Sequence, residues 1–131
     1  MKASVKSARV APVSRGTILY CEANASVLAE QSKMFEKAGY TVERAHGRAA
    51  AMQALGRNKH DIVVLGHTLT KDDRHHLPYM AKKADGDIQV LVLHASGKHP
   101  AVDISLDSRD GEKKVLAALN SLAELKYAVA S

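Results

Sequence analysis

The sequence has 131 residues, 46% of them hydrophobic, and this length fits one globular core better than two. No apolar run approaches the roughly 20 residues that a membrane helix needs, and residues 1–15 lack the apolar stretch of a secretory signal, so we expect a soluble, cytoplasmic protein without a membrane partner. Four of the five net positive charges lie within residues 1–15 (Lys2, Lys6, Arg9 and Arg15), which predicts a basic, disordered leader before a domain that spans residues 16–131.

The first half of that domain alternates strands with helices. A strand is predicted over Thr17–Cys21, and Asn24 or Ser26 is placed to cap a helix whose apolar face extends to Ala38. Gly39 can end this helix in the left-handed conformation. The same alternation then predicts a strand over Tyr40–Arg44 and a second helix over Arg48–Leu55, closed by Gly56.

The second half repeats the alternation. The continuous aliphatic run in Asp61–Gly66 is typical of a parallel strand that is covered on both faces. Alternating strands and helices favour right-handed crossovers, and therefore an α/β, flavodoxin-like, doubly wound parallel sheet. In such a sheet ligands bind at the carboxyl ends of the strands. The remaining predicted elements are a helix over Leu69–Ala84, strands over Ile88–Leu93 and Val102–Leu106, and a helix over Glu112–Tyr127.

Five stretches of the chain resemble the receiver domain of two-component response regulators, with the likeness extending from Thr17 to Leu122. In chain order they read TILYCEAN, KMFEKAGYTVERAHGRAAAMQAL, HDIVVLGHTL, IQVLVLHASG and VDISLDSRDGEKKVLAAL. The resemblance implies five strands in the order 2-1-3-4-5 and a role in signal transduction.

The resemblance also implies where the phosphorylation site of a receiver would lie. The acidic pair that helps to hold magnesium falls on Glu22 and Ala23, and the aspartate that accepts the phosphoryl group falls on Gly66. Glycine offers no nucleophile, and one remaining carboxylate is too few oxygen ligands for the usual divalent cation. We therefore expect no phosphoacceptor in this chain.

Three further positions of the receiver pattern are replaced. The hydroxyl residue after the fourth strand falls on His94, and the lysine after the fifth strand falls on Ser108, or on Asp107 if the alignment shifts by one residue. The aromatic switch residue falls on Ser105. Together with Gly66, these losses predict a degenerate receiver, a pseudo-receiver that does not use the phosphorylation cycle.

The connection between the fourth and fifth strands is unusually short. Only residues 95–101 separate the two strands, whereas a helical crossover needs about a dozen residues. We expect the fourth helix to be missing or reduced and the fifth strand to be a parallel strand at the sheet edge. An antiparallel fifth strand after a long hairpin is the alternative. Apolar surface uncovered by the lost helix would need a partner or a second copy of the chain.

The side chains expected at the altered pocket are Glu22, Ala23, Gly66, His67, His94 and Ser108. Two imidazoles and one carboxylate could ligate zinc, but no histidine pair has ligand spacing, so we favour a hydrogen-bonded polar pocket without metal or other cofactor. We assign no catalytic residue. Cys21, the only cysteine, is expected to behave as a small buried hydrophobe.

The preferred interpretation is a non-enzymatic signalling module that binds a protein partner, itself included. The alternative is a small ligand-binding protein or enzyme that reuses the pocket at the strand ends, because fold alone does not decide function. A nucleic-acid-binding accessory would depend on the basic leader alone and lacks a recognition element, so we do not expect nucleic acid as a partner.

Overall fold

The computed structural model describes residues 14–93, 99–107 and 110–130, with side chains described as far as Glu124. The strands are β1 (Thr17–Glu22), β2 (Thr41–His46), β3 (Ile62–Leu65), β4 (Gln89–Leu93) and β5 (Ile104–Leu106). The helices are α1 (Ala25–Lys37), α2 (Arg48–Arg57), α3 (Lys71–Ala84) and α4 (Gly111–Ala130). The leader predicted over residues 1–15 lies outside the described residues except for Ser14 and Arg15, and the backbone N–H of Arg15 donates to the Gly39 carbonyl at 2.9 Å.

The five strands form one sheet in the order β2-β1-β3-β4-β5, and all four pairings are parallel. This confirms the predicted flavodoxin-like topology. β5 lies at the edge beside β4, with Leu91 opposite Ile104 and Leu93 opposite Leu106. The antiparallel alternative for the fifth strand is therefore wrong.

Helices cover both faces of the sheet, as parallel strands require. On one face, residues of α2 and α3 pack against alternate strand residues such as Leu19, Val63 and Val90. On the other face, residues of α1 and α4 pack against Tyr20, Val64 and their neighbours. No helix within the described ranges is both long enough and apolar enough to cross a membrane.

The helix ends agree with the sequence signals at two points and depart from them at two. Asn24 caps α1 by accepting from the Val27 N–H at 3.0 Å, and Gly39 follows α1 with a φ of 105°. The Thr70 hydroxyl caps α3 at Asp73, so that helix begins after Leu69, which stays in the core. Gly56 does not close α2, because its φ is not positive and the helix continues through it to Arg57.

In the described part of the chain, the sheet face where a receiver would place a helix between its fourth and fifth strands is closed. Val90 and Val92 of β4 are buried with Leu77 and Ala81 of α3, and Val102 of the short connection packs against the same cluster. Because α3 and the connection cover these strand residues, the expectation of uncovered apolar surface is wrong for the described residues. Residues 94–98 of the connection lie outside them.

A polar contact, here called the Asp103 clasp, ties the entry of β5 to its neighbours. Asp103 Oδ2 accepts from the buried Val90 N–H at 2.7 Å and from Lys82 Nζ at 2.9 Å. Lys82 Nζ also donates to the Ile88 carbonyl. One carboxylate thus joins α3, β4 and β5 where a crossover helix would otherwise connect the two strands.

Replacing Asp103 should destabilise the domain. Asp103→Ala leaves the Val90 N–H without its acceptor, and we expect a loss of about 1–2 kcal/mol in the free energy of unfolding, measured with urea. Asp103→Asn keeps an oxygen acceptor and should lose less. The exposed Asp87 provides the matched control, since Asp87→Ala should change stability by less than about 0.5 kcal/mol. An Asp103→Ala variant as stable as the parent would contradict the role of the clasp.

Candidate functional site

The candidate site lies at the carboxyl ends of β1 and β3, which are adjacent in the sheet. Cys21 of β1 pairs with Leu65 of β3, so the next residues, Glu22 and Gly66, come side by side. The Gly66 N–H donates to the Cys21 carbonyl at 2.9 Å. The loops after both strands therefore begin at one point of the sheet edge.

The Glu22 side chain points into the protein and is fully buried. Its Oε1 accepts from the Thr68 backbone N–H at 3.0 Å and from the Thr68 hydroxyl at 2.6 Å. Its Oε2 accepts a short hydrogen bond from the Tyr20 hydroxyl. A buried carboxylate is costly unless hydrogen bonds replace its water, and three protein donors do so here.

Thr68 also connects the two loops of the site. While its hydroxyl donates to Glu22, the same oxygen accepts from the backbone N–H groups of Ala23 at 2.8 Å and of Asn24 at 3.0 Å. One donor and two acceptor positions are all that a hydroxyl has, so this group is saturated. The loop after β1 and the loop after β3 are therefore held together through one side chain.

The Glu22 carboxylate occupies the space that a side chain at residue 66 would need. A Cβ built on Gly66 would lie 1.9 Å from Glu22 Cδ and 2.0 Å from each carboxylate oxygen. Gly66 does not have a positive φ, so the restriction comes from this overlap and not from the backbone conformation. Where the receiver resemblance places an aspartate, the space is filled by a carboxylate from the neighbouring strand.

Burial and the Glu22 carboxylate together raise the pKa values of the two residues before Glu22, which are Tyr20 and Cys21. Tyr20 packs edge-on against Phe35, with ring centroids 5.0 Å apart, and burial followed by the bond to Glu22 holds the pKa of its hydroxyl well above the ordinary 10.0. Burial, followed by the charge of Glu22, raises the pKa of the Cys21 thiol to about 12. Cys21 is therefore a protonated, buried side chain, as expected of a small hydrophobe.

The structure brings four of the six predicted pocket residues together. His67 is 48% exposed at the mouth, with Nδ1 3.9 Å from Glu22 Oε2, while Ala23 contributes only backbone groups, its N–H to Thr68 and its carbonyl to His46. His94 and Ser108 lie outside the described residues. Ser105 is exposed in the middle of β5. Among residues 14–93, 99–107 and 110–124, no three His, Cys, Asp or Glu side chains are grouped so that they could hold a metal ion.

A cavity of about 200 Å³ opens beside this site, between α1 and α4. Ligand pockets of small-molecule sites usually have at least about 300 Å³, so this cavity gives little support to the alternative of a ligand-binding protein. Its walls are formed by Tyr20, Glu22, Gln31, Met34, His67, Leu93, Asp107, Gly111, Glu112 and Val115.

The predicted pocket residues did not include two members of the site, Tyr20 and Thr68. Tyr20 had a usable signal, because residues two apart on a strand share a face and a tyrosine in an aliphatic strand needs a partner for its hydroxyl. Thr68 had no such signal. Its partners on the β1 loop are 44 to 46 residues away in the chain.

Comparisons with solved structures find response-regulator receiver domains. A receiver domain from Methanospirillum hungatei is 13% identical, with a TM-score of 0.74 over 85% of this chain and 95% of that one. The receiver domain of an HD-domain protein from Pseudomonas fluorescens is 16% identical, with a TM-score of 0.75 over 86% and 97%. A Burkholderia pseudomallei response regulator with a phosphorylated aspartic acid and a calcium ion is 19% identical, with a TM-score of 0.65 over 88% and 72%.

These likenesses establish that the chain has the receiver fold. No protein-family model matches the sequence, and no curated protein does so either.

Because of the overlap at residue 66, a methyl group added there should destabilise the domain. Removing the Glu22 side chain should abolish most of that cost. Gly66→Ala should cost more than about 2 kcal/mol of unfolding free energy, because its Cβ would displace the buried Glu22 carboxylate from its hydrogen bonds to Tyr20 and Thr68. In a Glu22→Ala background the same change should cost less than about 1 kcal/mol, since the occupying side chain is gone. Urea unfolding of the four proteins in this double-mutant cycle measures the difference.

Gly56 supplies the matched control for that cycle. A Cβ built there meets nothing within 4 Å, and the residue is helical, so Gly56→Ala should be neutral or stabilise by up to about 1 kcal/mol. Equal costs of Gly66→Ala in the two backgrounds would show that Glu22 does not fill this space.

The raised pKa of Tyr20 predicts a loss of stability in alkaline solution. Above pH 10.0 the unfolded chain ionises this hydroxyl while the folded protein keeps it protonated. The contribution of the Tyr20 hydroxyl to the free energy of unfolding is therefore complete below pH 10.0 and declines as the pH rises above it. Tyr20→Phe should be less stable at neutral pH, because Glu22 loses a donor. Above pH 10.0 the free energy of unfolding of Tyr20→Phe should fall less steeply with pH than that of the parent protein. The two slopes should differ by up to about 1.4 kcal/mol per pH unit. Parallel curves for the two proteins would contradict this.

Proposed function

We propose that this receiver-fold domain is a pseudo-receiver in signal transduction, which does not undergo aspartyl phosphorylation and acts by binding a protein partner. One observation carries the proposal. The space at residue 66 is filled by the hydrogen-bonded carboxylate of Glu22, and residue 66 itself has no side chain. The site is closed by the protein's own atoms.

At the position of a receiver's acceptor, the described site does not offer the groups that phosphoryl transfer needs. An aspartyl acceptor needs an accessible carboxylate beside oxygen ligands for a divalent cation. Gly66 has no carboxylate, Ala23 has no ligand atom in its side chain, and Glu22 is buried with both oxygens engaged. The Burkholderia pseudomallei protein, by contrast, carries its phosphoryl group on an aspartic acid. The filled position therefore supports a function by binding rather than by aspartyl phosphorylation.

A surface suited to protein binding lies on α3 and the short connection. We call it the ring patch, and it consists of His75, Tyr79 and His99. Tyr79 is 43% exposed and is the only large hydrophobic side chain so exposed among the described residues. The His99 ring centroid lies 4.6 Å from that of Tyr79 and 4.9 Å from that of His75. Exposed aromatic rings held in place by neighbours are frequent anchors of protein interfaces.

Exposure to a small phosphodonor tests the first part of the proposal. The protein is incubated with magnesium and acetyl phosphate, and its intact mass is measured before and after treatment with hydroxylamine, which removes acyl phosphates. We expect no hydroxylamine-sensitive phosphoryl group. A receiver domain that retains its aspartate, treated in parallel, shows that the donor is active. A stable acyl phosphate on this chain would overturn the proposal.

Light scattering over a range of concentrations tests binding to a second copy. If the ring patch is the contact, Tyr79→Ala should shift self-association to at least roughly tenfold higher concentration, because aromatic anchors at an interface contribute about 1–2 kcal/mol or more. Asp87→Ala, in the exposed turn after α3, is the matched control. A protein that stays monomeric throughout would rule out the homodimer and leave a different signalling protein as the partner.

A further inference from the structure

Four side chains form one stripe along the outer side of α3, here called the α3 ridge. They are Asp72, His76, Tyr79 and Lys83, and all four are exposed. Their spacings of four, three and four residues place them on one face of a helix. Ala81, on the opposite side of α3, is fully buried against the sheet. The ridge is therefore the line along which another molecule would meet this helix.

The two charged members of the ridge have no partner within their own molecule. The adjacent Asp73 and Lys82 each form an ion pair with a neighbouring element, at 3.5 Å and 2.9 Å. Over the described ranges, the side chains of Asp72 and Lys83 form neither an ion pair nor a hydrogen bond. One carboxylate and one ammonium, at the two ends of the ridge, are thus available to a second molecule.

The ridge is complementary to itself. Asp72 and Lys83 lie equally far from its midpoint along the chain, and so do His76 and Tyr79. In a two-fold symmetric contact, each residue meets the residue at the mirrored position on the second copy. Two antiparallel α3 helices in this register bring each Asp72 to Lys83 of the second copy. They also bring each His76 to Tyr79 of the second copy, ring against ring.

Charge selects this arrangement over a parallel one. In a parallel pair, each end of the ridge would meet its own charge on the second copy and be repelled. The antiparallel pair also places the positive end of each helix dipole beside the negative end of the other. Exposed ion pairs are individually weak, so the rings are expected to supply most of the affinity and the charges to fix the register.

We propose that the chain associates with a second copy of itself through the α3 ridge, as an antiparallel, two-fold symmetric pair in which Asp72 of each copy binds Lys83 of the other. This inference rests on the proposed function, because it identifies the protein partner as a second copy of the chain. A contact between two single helices is small, so the dimer should be weak and reversible.

Sedimentation velocity of two charge-reversed variants tests the pairing. Asp72→Lys leaves two cations on the ridge and Lys83→Asp leaves two carboxylates, so each variant alone meets like charges at both ends of the contact. Each should self-associate at least roughly tenfold more weakly than the parent. Mixed in equal amounts, the two variants should form a heterodimer with about the affinity of the parent, because every cation then meets a carboxylate. Glu30→Lys, exposed on α1 at the other face of the sheet, is the matched control and should associate as the parent does.

The double variant Asp72→Lys/Lys83→Asp separates pairing from folding. Both of its new charges oppose the dipole of α3, so its helix should be the least stable of the set, while its two ridge ends are complementary again. Its self-association should return to within about threefold of the parent.

Three results would each overturn the α3 pair. They are a parent protein that stays monomeric up to about 1 mM, single variants that associate as strongly as the parent, and a mixture of the two variants that stays monomeric while the parent dimerises. None of them bears on aspartyl phosphorylation. An acyl phosphate would overturn the proposed function and leave these association results unchanged, so the two proposals fail separately.

Discussion

The site at the strand ends is organised by one buried carboxylate, that of Glu22, which lies over Gly66 at the junction of β1 and β3. A carboxylate without water needs donors, and Tyr20 and Thr68 provide them. The space it fills is the space of a side chain at residue 66, so the glycine and the inward-pointing glutamate require each other. Either residue alone would leave a gap or an overlap, and both are costly in a packed interior.

The same contact organises the loops around it. Because the Thr68 hydroxyl joins Glu22 to the Ala23 and Asn24 amides, the loop after β3 is fixed against the start of α1. A receiver that works by phosphorylation needs an open, solvated acceptor with a cation beside it. Here the equivalent position is filled and hydrogen-bonded, while the distinctive surface lies elsewhere, at the ring patch and the short β4–β5 connection. The receiver fold is retained, and the exposed Tyr79 ring lies on α3 beside His99 of the short connection.

The fold was largely predictable from the sequence, because strand and helix periodicity and the signals at Asn24 and Gly39 are local. The length of residues 95–101 was sufficient to predict the reduced helix and the edge strand. The prediction that Gly56 closes α2 was wrong, because a glycine near a helix end resembles a stop signal even where the helix continues. The position of Glu22 was not predictable, since an acidic residue at the end of a strand usually faces solvent and two of its three hydrogen-bond donors belong to Thr68 in a different loop. The Asp103 clasp is equally non-local, joining residues 13 and 21 apart in the chain.

The position of the Glu22 carboxylate over Gly66 is tested most directly by measuring proton–proton proximity between these two residues. Nuclear Overhauser effects between the Gly66 α protons and the Glu22 side-chain methylene protons report whether the carboxylate arm lies over the glycine in solution. The account predicts clear cross-peaks between these protons, together with cross-peaks from Glu22 to the Thr68 amide. A Glu22 side chain without contacts to Gly66 and Thr68, directed instead toward the exposed ring of His67 and solvent, would show an open site and contradict the account.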